Sequence, residues 1–195
     1  MLGGAGASQK FDLTFYLTRW DSAIQMTMNI FVVIMGVAGC GKSSLGHAVA
    51  QAMQLPLVEG DDFHSPESRQ KMSQGVALTD DDRAGWLDRL SDQLRQHPGG
   101  MVLTCSALKK VYRDRLRQAA PGLRFAFLQI SHEDAQARVG SRGEAHFFSS
   151  KLVDSQFATL EVPIGEPGVL TLDATEPLQK LQAEVVAWMA NKELA

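Results

Sequence analysis

The chain has 195 residues, with 19 basic and 22 acidic side chains and a formal charge of −3. That length suits one domain with a sizeable core, and the weakly acidic balance gives no general attraction to nucleic acid or to an anionic membrane. Two cysteines, Cys40 and Cys105, have neither metal-knuckle nor disulfide-framework spacing; they fit a reducing, cytoplasmic setting, and no apolar run approaches the length of a membrane span.

Residues 1–27 differ in texture from the rest, with a small, polar start and then aromatics without clear period. They read as an N-terminal extension with no role in chemistry, Met28 standing as an alternative start. The other reading is a short helix docked through Phe15, Tyr16 and Trp20. Residues 28–195 read as one alternating strand-and-helix domain. Its first strand, Ile30–Met35, runs into Gly36-Val37-Ala38-Gly39-Cys40-Gly41-Lys42-Ser43, which fits the phosphate-binding pattern Gly-x-x-x-x-Gly-Lys-Ser between a strand and a helix. Glycines at Gly36, Gly39 and Gly41 allow backbone that side chains forbid, so that successive amides face phosphate oxygens. The helix opening at Lys42 aims its positive end at the same place. Lys42 suits the outer phosphates, and the Ser43 hydroxyl suits Mg²⁺. The nucleotide-binding set expected here is Gly36, Val37, Ala38, Gly39, Cys40, Gly41, Lys42, Ser43 and Ser44. Oxidation of Cys40 within the loop is a minor candidate for blocking nucleotide.

A helix with Leu45, Val49 and Ala52 on one face follows, then a strand at residues 56–59 that ends Glu59-Gly60-Asp61-Asp62-Phe63-His64. A carboxylate there can orient metal and accept a proton from an attacking hydroxyl. Asp61 is the candidate for both roles, because it follows the strand directly and Gly60 permits close approach; Asp62 is the reserve. Thr79-x-x-Asp82 is a capping pattern ahead of Leu87, Leu90 and Leu94. Within it Arg83, beside acidic neighbours, suits a substrate carboxylate. The third strand, residues 101–105, ends without a carboxylate, so metal organisation is expected to rest on Ser43 and Asp61. Lys109 and Arg113 lie beyond it, in a basic cluster with Lys110, Arg115 and Arg117 that reads as a solvated helix face, on a helix that begins with Leu108, Val111 and Arg115. After a fourth strand at 124–130, Arg138 and Arg142 are four apart on one helical face. Beside Gly140 and Gly143 they read as a closing lid at about residues 138–148, bringing charge to a transferring phosphoryl group. A fifth strand at 169–172 and a helix carrying Leu178, Leu181, Val185, Trp188 and Met189 complete the chain. Alternation of this kind implies a parallel sheet covered by helices, with ligands beyond the carboxyl ends of the strands. A GTP-dependent switch is the rival class, but Asp82-Arg83-Ala84-Gly85 follows no strand.

Taken together, the phosphate loop, Gly60-Asp61 with His64, Leu78-Thr79-Asp80-Asp81-Asp82-Arg83 with Trp86-Leu87, Cys105-Ser106-Ala107-Leu108-Lys109-Lys110 with Tyr112-Arg113, and His146-Phe147-Phe148 with Ser155-Gln156-Phe157 resemble the gluconokinases, from about residue 28 to the C-terminus. The resemblance implies a P-loop kinase: a three-layer α/β/α sandwich, a central five-stranded parallel sheet and a mobile lid. It implies transfer of a phosphoryl group from ATP, with Mg²⁺, to the 6-hydroxyl of D-gluconate, in a homodimer. Its catalytic set here is Lys42, Asp61, Arg138 and Arg142, and its substrate-binding candidates are His64, Arg83, Lys109, Arg113 and His146. The same scaffold acting on shikimate or a nucleotide is the alternative. The family usually has Asp where Glu59 stands, leaving Asp61 as the matched acid, and Gly143-Glu144-Ala145 looks one residue longer than the family's pattern.

Overall fold

The computed structural model describes residues 29–141 and 150–191. The N-terminal extension, Arg142, His146 and most of the expected lid therefore lie outside the described residues. The elements are β1 (Ile30–Met35), α1 (Lys42–Met53), β2 (Leu57–Glu59), a 3₁₀ turn (Gly60–Phe63), α2 (Pro66–Ser73), α3 (Asp80–Gln96), β3 (Gly100–Cys105), α4 (Lys110–Ala119), β4 (Arg124–Gln129), α5 (His132–Gly140), α6 (Ser150–Thr159), β5 (Val169–Asp173) and α7 (Leu178–Ala190). The strands make one sheet in the order β2-β3-β1-β4-β5, with every neighbouring pair parallel. Chain order turns outward in both directions from β1, so the crevice for a ligand opens at the carboxyl end of that strand.

Period-two side-chain alternation in β1 separates two cores. Val32 and Ile34 pack with α1 and α7 through Leu45, Val49, Leu181 and Val185. Phe31, Val33 and Met35 face the other way, onto Trp86, Leu90 and Leu94 of α3 and Leu116 of α4. The result is the three-layer sandwich expected from the alternating elements. Helix α1 lies close to the sheet because residue 46 is glycine: a Cβ there would come within 2.6 Å of the Thr104 methyl. Helix α3 starts with the expected capping box, Thr79 Oγ1 accepting from the Asp82 amide while Asp82 accepts from the Thr79 amide. Arg124 closes α7, its guanidinium donating to the carbonyls of Trp188 and Asn191, acceptors that a helix C-terminus leaves without partners.

The basic stretch is only partly a solvated face: Lys110 is exposed and Arg115 partly so, but Arg113 is not. Helix α4 buries Tyr112, Arg113 and Leu116, whereas Val111 points outward at 62 % exposure, and Ala52 of α1 is exposed too. Arg113 is wholly buried. It pairs with Glu166, which Arg117 also reaches. It donates to the carbonyls of Ala107, Leu108 and Glu161 as well. Five donors in a rigid fork suit a guanidinium to this convergence of acceptors. Ala107 takes a left-handed backbone (φ 45), and Arg113 holds the carbonyls on either side of that turn's exit. Arg113 is therefore a structural tie and not the substrate ligand expected from sequence; burial and a full set of protein partners keep it from a ligand.

Arg113→Ala leaves Glu166 half-paired and three carbonyls short of a donor, a loss of about 3–5 kcal/mol for a broken buried pair. Thermal unfolding is expected to drop by roughly 6–20 °C at about 2–4 °C per kcal/mol. An unchanged melting temperature with a raised acceptor KM would instead restore the ligand role.

Candidate functional site

The loop between β1 and α1 owes its shape to contacts that exclude side chains. Gly36 (φ 141) and Gly39 (φ 82) both take left-handed backbone. A Cβ would lie 2.8 Å from the Leu128 carbonyl at Gly36 and 2.8 Å from the Ala135 carbonyl at Gly39. At the entry to α1, Gly41 supplies no side-chain cap, and the first turn carries no acidic residue. The amides and the positive end of the helix dipole are left open for an anion. Lys42 bends back, its Nζ donating to the Val37 carbonyl at 3.0 Å. Cys40 is buried at 2 % exposure, and burial pushes its thiol pKa up. A protonated, enclosed thiol is a poor target for oxidation, contrary to the expectation from sequence.

A cavity of about 320 Å³ opens beside the loop. Lys42 and Ser43 line it, and so do Asp61, His64, Arg69 and Arg83. Of the expected substrate residues, then, His64 and Arg83 reach the cavity with Asp61. Lys109 does not line it; its Nζ donates to both carboxylate oxygens of Asp80, at 2.8 and 2.7 Å, and ties α4 to the start of α3. Arg138 lies in the last turn of α5. Its Nη2 donates to the Ala174 carbonyl at 3.0 Å. It borders a second hollow of about 390 Å³ on the other flank of the loop, with Leu178 and Glu176. Its spacing from Arg142 suggested a shared role, but the carbonyl beyond β5 holds it away from the first cavity.

The carboxylate that meets Ser43 is Glu59, not Asp61. Glu59 Oε2 accepts from Ser43 Oγ at 3.1 Å, and from Thr104 Oγ1 on the neighbouring strand. Glu59 Oε1 is buried without a hydrogen-bond partner. Strand alternation explains the placement. Leu57, two residues earlier, packs into the α1-side core, so Glu59 faces the start of α1. Gly60 does make a close approach, but to the sheet: a Cβ there would lie 2.3 Å from the Thr104 carbonyl. Asp61 then leaves the strand into the cavity, half-exposed, with its Oδ1 3.8 Å from His64 Nε2.

Nothing in the sequence marks Arg69, which also lines the cavity. Its guanidinium donates to the carbonyls of His64 and Asp62, one helical turn past the Ser65 cap of α2. Arg83 is buried and donates to the Leu78 carbonyl at 2.6 Å. Between these cations His64 stacks on Trp86, ring centroids 4.5 Å apart, while the Trp86 indole donates to the Gly60 carbonyl. Burial first, then Arg83, Arg69 and Arg89, lower the His64 pKa to about 4. His64 is thus a neutral hydrogen-bonding group at pH 7, and two guanidiniums supply the positive charge.

A neutral imidazole in the fold means that the unfolded chain binds the extra proton as pH falls. Stability should decline as pH drops from about 6.5 toward 4, and His64→Phe, keeping the stack on Trp86, should flatten that decline. Urea unfolding across this range measures it. Parallel curves for wild type and variant would contradict the neutral His64.

The fold and these two flanking sites define a P-loop kinase of small molecules. The shikimate kinase family matches residues 38–158. The thermoresistant gluconokinase of Escherichia coli (strain K12) is 36 % identical over 158 residues, covering 79 % of this chain and 90 % of that protein. The gluconokinase of Gluconobacter oxydans (strain 621H) is 43 % identical over 136 residues, covering 68 % and 76 %. A crystal structure of a gluconokinase from Sinorhizobium meliloti 1021 superposes with a TM-score of 0.76 at 43 % identity, covering 84 % of this chain and 94 % of that one. The chain belongs to the gluconokinases, within the shikimate kinase family.

Proposed function

We propose that the chain phosphorylates D-gluconate at its 6-hydroxyl, using ATP and yielding 6-phosphogluconate and ADP. One observation carries the acceptor side: a carboxylate, Asp61, shares a cavity with the phosphate loop, while Arg69, Arg83 and a neutral His64 line the same space. The amides at the uncapped start of α1 and Lys42 hold the outer phosphates. The two guanidiniums take the sugar acid's carboxylate, which Arg pairs with bidentately. Asp61 accepts the proton of the 6-hydroxyl as its oxygen bonds to the γ-phosphorus, and the bond to the bridging oxygen breaks, ADP leaving with the electron pair.

The residues present fit Mg²⁺. Ser43 Oγ stands at the helix start, and the buried Glu59 Oε1, with no hydrogen bond and only His47 Nδ1 at 3.7 Å, is the kind of group that an ion with bound water satisfies. Ser43 and Glu59 would hold the ion, with Asp61 left to the acceptor. When bound, Mg²⁺ neutralises charge on the β- and γ-phosphates. The second hollow, with Arg138 and the exposed Leu178, suits the purine of ATP. Arg142 and His146 keep their proposed places in the lid and at the acceptor. No helix among the described residues is long and apolar enough to cross a membrane; a cytoplasmic homodimer belongs to the same reading, and light scattering decides its mass.

ADP release measured over gluconate, other sugar acids, polyols, shikimate and nucleotides is expected to show saturable turnover with gluconate alone. Asp61→Asn should lower kcat at least 100-fold with little change in KM, in line with general-base catalysis. Glu59→Gln should raise the Mg²⁺ needed for half-maximal rate about 10–100-fold, as lost support around a metal does. Turnover of shikimate in place of gluconate, or a fully active Asp61→Asn enzyme, would overturn the reading.

A further inference from the structure

Part of the wall of the cavity comes from α6, which the roles assigned so far leave unused. Leu152, Ser155 and Gln156 all line the cavity, and their spacing of three and four residues puts them on one helical face. Leu152 is buried against Met72 of α2 and Leu78, so α6 is fastened to the segment that carries Arg69 and Arg83. From the other end of the same face, Gln156 reaches the phosphate loop. Its Oε1 accepts from the Ala38 amide at 2.7 Å, across 118 positions of sequence. That contact orients the carboxamide, because an N–H can be satisfied only by the oxygen end. The Nε2 group, with two N–H donors, takes no protein acceptor among the described residues. A half-buried amide with one end fixed on the loop has its other end available to whatever enters the cavity.

We propose that Gln156 is an acceptor-recognition residue: anchored through its oxygen on the Ala38 amide, it donates from Nε2 to a secondary hydroxyl of the sugar acid near the reacting one. Polyhydroxy acids present an oxygen lone pair on every carbon, and a donor held against the phosphate loop meets the end of the chain that must face the γ-phosphate. The anchor to Ala38 makes acceptor position and loop geometry a single arrangement. A substrate whose hydroxyl misses the amide then sits out of line for transfer, where small displacements cost rate steeply. This proposal rests on the gluconate kinase reading above and adds to it the group that tells one hydroxylated chain from another.

The test pairs Gln156→Glu with gluconates lacking the hydroxyl at carbon 3, 4 or 5, one at a time. The carboxylate keeps an acceptor for the Ala38 amide and loses the donors. Wild type is expected to turn over one of the deoxy acids with kcat/KM about tenfold below gluconate, the loss from one missing hydrogen bond. In Gln156→Glu that ratio should collapse to within about twofold, the signature of a pairwise interaction removed from both sides. Thermal unfolding within a few degrees of wild type verifies the fold. A variant that keeps the tenfold ratio, or a wild type indifferent to all three deoxy acids, overturns the proposal. A wild type inactive on gluconate fails the underlying reading first, before any variant is made, and the proposal with it.

Discussion

The molecule depends on a helix start that no side chain caps among the described residues. Helix α1 begins at Lys42 behind a glycine, with no side-chain cap and no acid in its first turn. In α3 and α5, by contrast, Thr79 and Ser131 cap the first amides and acidic residues fill the first turn. An uncapped N-terminus is ordinarily a defect, costing about 1 kcal/mol relative to Ser, Thr or Asp. Here its amides face a cavity at the carboxyl end of β1, where the sheet order reverses. The surrounding packing keeps it that way: the carbonyls of Leu128 and Ala135 press on Gly36 and Gly39 so closely that no side chain could enter.

Around that open end, the other charges divide by partner. Glu59 is held by Ser43 and Thr104, so its position is set by the sheet. Arg113 and Lys109, which look equally available in the sequence, are consumed by Glu166 and Asp80. They fix the exit of β3 and the start of α3, the two frames that carry Ser106 and Arg83, both of which line the cavity. Arg69 and Arg83 use one or two donors on backbone carbonyls, which leaves guanidinium N–H groups for a ligand. His64 is pressed between cations and a tryptophan until it cannot hold a proton near neutrality. The site's positive charge is therefore permanent and not tunable around pH 7, as suits recognition of a carboxylate that is itself always ionised.

Much of the fold was legible because buried parallel strands read as short apolar runs; all five appear with ends shifted by no more than one residue. The loop was legible because its function requires particular residue types at fixed spacing. What sequence misjudged were partners. Val111 and Arg113 are two apart, and nothing in a basic stretch says which of them turns inward; the answer depends on Glu166, 53 positions away. Spacing after the strand favours Asp61, whereas strand alternation from Leu57 points Glu59 at α1. Arg138 and Arg142 were joined by helical spacing, yet the partner that fixes Arg138 is a carbonyl beyond β5. Gln156 is marked in the sequence only as part of the Ser155-Gln156-Phe157 block, and its particular contact is not legible there, since it comes from an amide 118 residues earlier.

The central claim is that phosphates, more than the base, are what this loop grips. Calorimetric titration of the wild-type chain with ATP and with AMP, each with Mg²⁺, tests it directly. The open amides and Lys42 predict one saturable site that binds ATP at least tenfold more tightly than AMP. Equal affinity for the two nucleotides, or no heat with ATP, would contradict the account.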